Sequence, residues 1–220
     1  MAERLEGRFE VLVFDWDGTI FDSTALIANA ILRSAADIGI AVPDPGLASH
    51  VIGLGMAQAL AKVVPDLPRE RIHEFNERFH VHYRSGEDAI SLFAGMRELL
   101  EALHARGDRL AIATGKSSTG LARSLREAGL SSWFEATRCA DQTHAKPHPA
   151  MLLELAGQMD VAPERMLMIG DTTHDLDMAR AAGASGVGVS YGAHPHAELA
   201  RASPLHIFSD VSSLRSWLLR

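Results

Sequence analysis

The chain predicts an α/β protein: a parallel sheet covered on both faces by helices, with an all-helical segment inserted after the first strand. Three observations predict this. Short apolar runs ending in charge or glycine recur along the 220 residues, as buried strands do. Stretches of helical period separate them, and strict alternation of strand and helix implies parallel strands with both faces covered. One stretch, residues 23–92, breaks the alternation, with helical signals and no convincing strand.

The first strand is predicted at residues 10–14 (EVLVF). The inserted segment follows. Residues 24–38 read as a helix, PDPG at 43–46 as a turn, and 56–64 and 69–84 as further helices, with GLGM (53–56) and HYRSGED (82–88) as flexible points. Beyond residue 92, helices are predicted at 95–105, 117–128, 149–159 and 172–182, and strands at 109–113, 165–169 and 185–189, with a weaker one at 205–208. Two of the helices run into Ala-Gly (Ala128-Gly129, Ala182-Gly183), where glycine takes the left-handed conformation that ends a helix. The expected division is a core of residues 1–22 and 93–220 and a helical unit of residues 23–92. In an open parallel sheet of this kind ligands bind beyond the carboxyl ends of the strands.

Composition narrows the function. With 47% hydrophobic and 22% charged residues the chain is globular in character. A formal net charge of −7 without a long Lys/Arg run disfavours nucleic acid as a partner. The single cysteine, Cys139, allows neither an internal disulfide nor a cysteine-based zinc site within one chain. No secretory leader and no 18-residue apolar run is seen, so a cytoplasmic location with no membrane partner is expected. No stretch announces a subunit interface, and oligomeric state stays open.

Four short motifs carry chemistry. In FDWDGTIFDS (14–23) a strand delivers Asp15 to its carboxyl end, with Asp17 two residues on and Gly18 permitting a tight turn. Carboxylates this close repel unless a cation lies between them, or they share a proton. In ATGKSS (113–118) Thr114 ends a strand and Gly115 opens a helix, where amides and a hydroxyl hold phosphate. In AKPHP (145–149) Pro147 keeps Lys146 out of helix. In GDTTHDLDMARAAG (170–183) Asp171 sits at a strand end, and Asp175 follows four residues later on one helical face. Taken singly, each motif has an ordinary reading as a solvated turn, a helix cap or a surface lysine. Four strand-end or loop signals in order on one sheet point to a site.

With these residues the chain resembles the haloacid dehalogenase superfamily, the aspartate-nucleophile phosphohydrolases, and within it the phosphoglycolate-phosphatase-like branch with a helical cap. The matching motifs are D-x-D-G-T at Asp15–Thr19, a strand-end Thr at Thr114, the Lys at Lys146, and G-D-x-x-x-D at Gly170, Asp171 and Asp175. The resemblance implies a Rossmann-like core with a cap at residues 23–92. It implies Asp15 as nucleophile, Asp17 as general acid and then base, and Mg²⁺ held by the Asp15 carboxylate, the Asp17 backbone carbonyl and Asp171. Asp175 would support the metal's outer shell or Lys146. Thr114 and Lys146, with Gly18 and Gly115, would bind the phosphoryl group, and residues 16–21 would form a mobile flap. Asp17 separates this pattern from dehalogenases, which lack an acid there because halide needs no proton.

The expected substrate is a small phosphorylated metabolite. Phosphoglycolate leads, with pyrophosphate, a nucleotide or a sugar phosphate as replacements. The alternatives are a phosphomutase with the same nucleophile and a catalytically silent binding protein on this fold. Cap residues Gly53, Leu54, Met56 and Arg84 are candidates for specificity, Arg84 as a bidentate partner for a substrate carboxylate. The histidines show no metal-ligating spacing and are read as surface or supporting groups, with His174 the nearest to the site. Trp16 and Cys139 are read as packing residues.

Overall fold

A computed structural model describes residues 9–220; residues 1–8 of the expected core lie outside the described residues. In chain order the elements are β1 (Val11–Phe14), α1 (Thr24–Asp37), α2 (Pro45–His50), α3 (Met56–Val63), α4 (Ile72–Glu87), α5 (Met96–Arg106), β2 (Arg109–Thr114), α6 (Ser118–Glu127), β3 (Ala136–Cys139), α7 (Ala150–Met159), β4 (Met166–Gly170), α8 (Thr173–Ala182), β5 (Ser185–Val189), α9 (His196–Leu199), β6 (Ile207–Phe208) and α10 (Val211–Leu218). The six strands form one parallel sheet in the order β3-β2-β1-β4-β5-β6.

Strand alternation sorts the side chains into two cores. Leu12 and Phe14 of β1 face one layer with Leu110, Ile112, Leu167 and Ile169, under Met96, Leu99, Leu103, Leu121 and Leu214 of α5, α6 and α10. Val11 and Val13 face the other, with Ala111, Met166 and Met168, under Leu152 and Leu155 of α7 and Met178 of α8. A sheet buried on both faces requires continuous apolar strands, and β1, β2 and β4 read that way. The helices α1–α4 enclose a third apolar cluster of their own, including Ile31, Ala35, Val51, Leu60 and Phe75.

The strand order reverses at β1, which has β2 on one side and β4 on the other. Such a switch point opens a crevice at the carboxyl ends of the strands. Register aims the chemistry into it. Phe14 pairs with Ile112 and with Ile169, and the Asp15 amide donates to the Ile169 carbonyl at 2.9 Å. Asp15, Thr114 and Asp171 therefore leave adjacent strands at nearly the same level.

Three expectations change. PDPG does not only turn the chain: Asp44 accepts a hydrogen bond from the Leu47 amide at 3.1 Å and Pro45 opens α2, since proline suits the first helical position. HYRSGED is not a loop, because α4 runs on to Glu87. Residues 136–139 form a strand absent from the predicted set, β3, which ends at the buried Cys139.

Candidate active site

Asp15 is fully buried and follows the last residue of β1. Lys146 Nζ lies 2.7 Å from Asp15 Oδ1 and 2.6 Å from Asp175 Oδ1, and all three side chains are cut off from solvent. Asp175 is spent on structure. Its other oxygen accepts the Thr172 amide at 3.1 Å and the Thr172 hydroxyl at 2.7 Å, closing a capping box at the start of α8. Asp171 is held at both ends: the Thr19 hydroxyl donates to Oδ1 at 2.9 Å and the Ala193 amide to Oδ2 at 2.7 Å.

Three carboxylates here face a single lysine. Oxygens of Asp15, Asp171 and Asp175 lie within 4.8 Å of one another, and Lys146 is the one side-chain cation in contact with them among the described residues. Asp15 Oδ2 is buried with no hydrogen bond of good geometry. Burial pushes the Asp15 carboxyl up to about 7 against the pull of Lys146, with Asp175 adding to the rise. Burial, then the charges of Asp15 and Asp175, raise Asp171 well above the carboxylate range. For Lys146 burial opposes charge, but Asp15 and Asp175 outweigh it and the ammonium is held. An unpartnered hard oxygen in an acidic, oxygen-rich cluster is the donor set a divalent cation takes, so the residues fit such an ion.

Backbone conformation keeps this cluster tight. Gly18 has φ +84°, and a Cβ there would fall 2.1 Å from Asp171 Oδ2. Gly115 lies where the core meets the inserted helices: a Cβ on it would fall 2.5 Å from the Gly53 carbonyl oxygen. Glycine at 18 and 115 is thus a steric condition of the site.

Asp17 points to the other side of the cleft. Its Oδ1 accepts the Ser23 hydroxyl at 2.8 Å, and both its oxygens lie 3.2 Å from Lys116 Nζ. Lys116 also donates to the Tyr83 hydroxyl at 2.8 Å and sits 4.6 Å from the centre of that ring. Thr114, nearly fully buried, accepts the Lys116 amide at 3.2 Å and keeps its own hydroxyl proton free to donate. A cavity of about 240 Å³ joins these groups, lined by Asp15, Asp17, Thr114, Gly115 and Lys116 on the core side and by Gly53, Leu54 and Met56 on the helical side.

Asp15, Asp17, Thr114, Lys146, Asp171 and Asp175 are therefore brought together, with Gly18, Gly115, Gly53, Leu54 and Met56 around them. Arg84 is not: it is exposed and lines no part of the cavity, while its neighbour Tyr83 does. Sequence reasoning missed Lys116, although it stands two residues after Thr114 in the second motif. It also missed a face of α4, where Asn76, Phe79, His80 and Tyr83 recur at helical spacing and all line the cavity.

A second cluster was invisible in sequence. His50 at the end of α2, His174 in α8 and His194 after β5 offer ring nitrogens within 4.8 Å of one another. The Nε2 atoms of His174 and His194 lie 3.1 and 3.0 Å from the His50 carbonyl oxygen. A carbonyl only accepts, so both rings carry their proton on Nε2. His194 Nδ1 in turn accepts the Thr173 amide at 3.1 Å. The His50 and His194 rings stack 5° from parallel at 4.5 Å, so their in-plane lone pairs do not converge on one ion. The cluster is a clasp joining α2 to the core.

A parallel sheet with buried strand-end carboxylates at its switch point, closed over by helices, is the frame of an α/β enzyme site. The chain belongs to the haloacid dehalogenase-like hydrolase family, whose model matches residues 12–189. It is 32% identical over 215 residues to a 5'-nucleotidase of Pseudomonas aeruginosa, covering 96% of each chain. It is 31% identical over 210 residues to a phosphoglycolate phosphatase of Aliivibrio fischeri, covering 91% of this chain and 92% of that one. The crystal structure of a predicted phosphoglycolate phosphatase from Haemophilus somnus 129pt matches with a TM-score of 0.83 and 27% identity, over 97% of this chain and 99% of that one. Among the described residues no helix is long and apolar enough to cross a membrane.

Proposed function

We propose that this hydrolase cleaves the phosphate monoester of a small metabolite through an aspartyl-phosphate on Asp15, with Mg²⁺ as the divalent ion. The observation that carries the reading is the Asp15 carboxylate itself: buried at a strand end, one oxygen against Lys146 and the other without a good partner. The relatives' names, 5'-nucleotidase and phosphoglycolate phosphatase, share phosphate-ester hydrolysis and differ in leaving group.

In this reading an Asp15 oxygen attacks phosphorus as the ester bond breaks. Asp17 gives its proton to the departing alkoxide, so the alcohol leaves neutral. The Thr114 hydroxyl and Lys146 hold the phosphoryl oxygens. Asp17, now a carboxylate, takes a proton from water, which attacks the acyl phosphate and frees phosphate and Asp15. One residue serves as acid and then base because the first step leaves it deprotonated. Asp17 must exchange its contact with Lys116 for the leaving oxygen during this cycle. The ion, held by Asp15, Asp171 and the Asp17 carbonyl, would offset the negative charge of phosphate and carboxylates brought together. The helices of residues 23–92 act as the cap, excluding water and contacting the leaving group.

The test is phosphate release from phosphoglycolate, pyrophosphate, a nucleoside monophosphate and a hexose phosphate, with Mg²⁺ and with a chelator. Release that depends on the metal and stops in Asp15→Asn supports the reading. Conversion of a sugar phosphate to its isomer without net release would replace it with a mutase. Binding of these compounds without turnover would leave a silent binding protein.

A further inference from the structure

The cavity that reaches Asp15 also shows what it holds beyond the phosphoryl group. Its helical wall is apolar: Ile27, Ile31, Val51, Leu54 and Met56, closed by Phe79. Phe79 and Tyr83, one turn apart on α4, stack at 6.0 Å with their planes 20° apart, and both line the space. They form an aromatic wall of the kind that takes a ring by offset stacking. Asn76, one turn earlier on the same face, has a buried amide oxygen with no hydrogen-bond partner.

The two cations lining the cavity, Lys116 and Arg123, are each paired with a carboxylate in the resting protein. Lys116 is bound to Asp17 and the Tyr83 hydroxyl. Both oxygens of Glu87 hold Arg123, at 2.7 and 2.8 Å. Burial lowers His80, as do the charges of Arg84, Arg123 and Lys116, so the surroundings favour its neutral form. A leaving group bearing a carboxylate would enter a largely apolar space whose cations already have carboxylate partners, and desolvating it there is costly.

Resting on the phosphatase reading above, we infer that the enzyme selects monoesters of neutral, ring-bearing alcohols. The ring lies against Phe79 and Tyr83, Asn76 supplies its polar contact, and carboxylate-bearing leaving groups such as glycolate are disfavoured.

The experiment measures kcat/KM of the full-length protein with Mg²⁺ for phenyl phosphate, phosphoglycolate and acetyl phosphate. Acetyl phosphate has too small a leaving group to use the wall, so it reports the phosphoryl chemistry alone. Phenyl phosphate is expected to exceed phosphoglycolate by about tenfold or more, the range an apolar pocket supplies. Phe79→Ala is expected to lose most of that advantage, mainly through a raised KM for phenyl phosphate. Phe79→Leu, a milder change, should lower the ratio in the same direction if Phe79→Ala proves unfolded, and an unchanged ratio in a folded Phe79→Leu would count against the wall. Turnover of acetyl phosphate with phosphoglycolate equal to or ahead of phenyl phosphate would overturn this inference and leave the phosphatase reading intact. No turnover of any of the three would overturn both.

Discussion

The two sides of the cleft are built on opposite terms. On the core side nearly every polar atom is committed: Asp171 between Thr19 and Ala193, Asp175 between Thr172 and Lys146, Asp17 between Ser23 and Lys116. The helical side presents Ile31, Val51, Leu54 and Phe79. The committed side sets geometry for one kind of chemistry and tolerates little change. The apolar side sets which molecule fits and can be redrawn without touching the reaction. Substitutions on the core side should therefore act on turnover, metal and stability, and those on the helical side on relative substrate preference.

The largest effect is expected for Asp15→Asn, which removes the nucleophile and keeps the shape. Turnover should fall by about 10⁴-fold or more, read as phosphate release from protein whose circular dichroism is unchanged. Near-normal activity would break the comparison at its root.

Lys146→Met should come next. It leaves buried carboxylates facing one another without their cation, a loss of about 3–5 kcal/mol. Urea denaturation of the metal-free protein measures it. Gly18→Ala should cost about 1–3 kcal/mol in strain at a positive φ. Because the new Cβ would meet Asp171 Oδ2, Mg²⁺ titration should also show weaker affinity. Unchanged affinity would mean that Asp171 does not hold the ion.

A smaller effect belongs to the clasp. Burial lowers His174 to about 4 from an ordinary 6.5, although its hydrogen bond to the His50 carbonyl pulls the other way. As pH falls through about 6.5 the unfolded chain takes up a proton that the folded one refuses. The stability due to neutral His174 is thus complete above that pH and declines toward 4. His174→Gln should flatten the fall in Tm between pH 7 and 5. A slope identical to that of the parent would show that the clasp is not the titrating element. The smallest effect is at Cys139, which burial pushes up to about 12: a maleimide should leave it unmodified until the protein is unfolded.

The same contrast explains what could be read in advance. Buried parallel strands such as VLVF and MLMI announce themselves because both faces demand apolar residues. The core-side motifs are short in sequence and rigid in spacing, so Asp15, Asp17, Thr114, Lys146, Asp171 and Asp175 were legible, down to the face of α8 that carries Asp175. β3 was not, because ATRC lies at the sheet edge and places Arg138 in partial exposure, its guanidinium bonded to Glu154 and Gln158. α10 was not, since its serine-rich VSSLRSWL fully buries only Val211, Leu214 and Leu218. The helical wall was harder still. Asn76, Phe79, His80 and Tyr83 make an ordinary amphipathic pattern until the fold shows that this face covers the nucleophile. The clasp of His50, His174 and His194 joins three distant segments and leaves no local signature at all.

In the proposed reaction Asp15 is phosphorylated in every turnover. The most direct test of this step is peptide mass spectrometry of the protein mixed with acetyl phosphate and Mg²⁺ and quenched in acid, where acyl phosphates survive longest. One phosphoryl group on the peptide containing Asp15, absent from Asp15→Asn and discharged on raising the pH, is the predicted result. Steady turnover of acetyl phosphate with no phosphoryl group on Asp15, or with one on another residue, would contradict it.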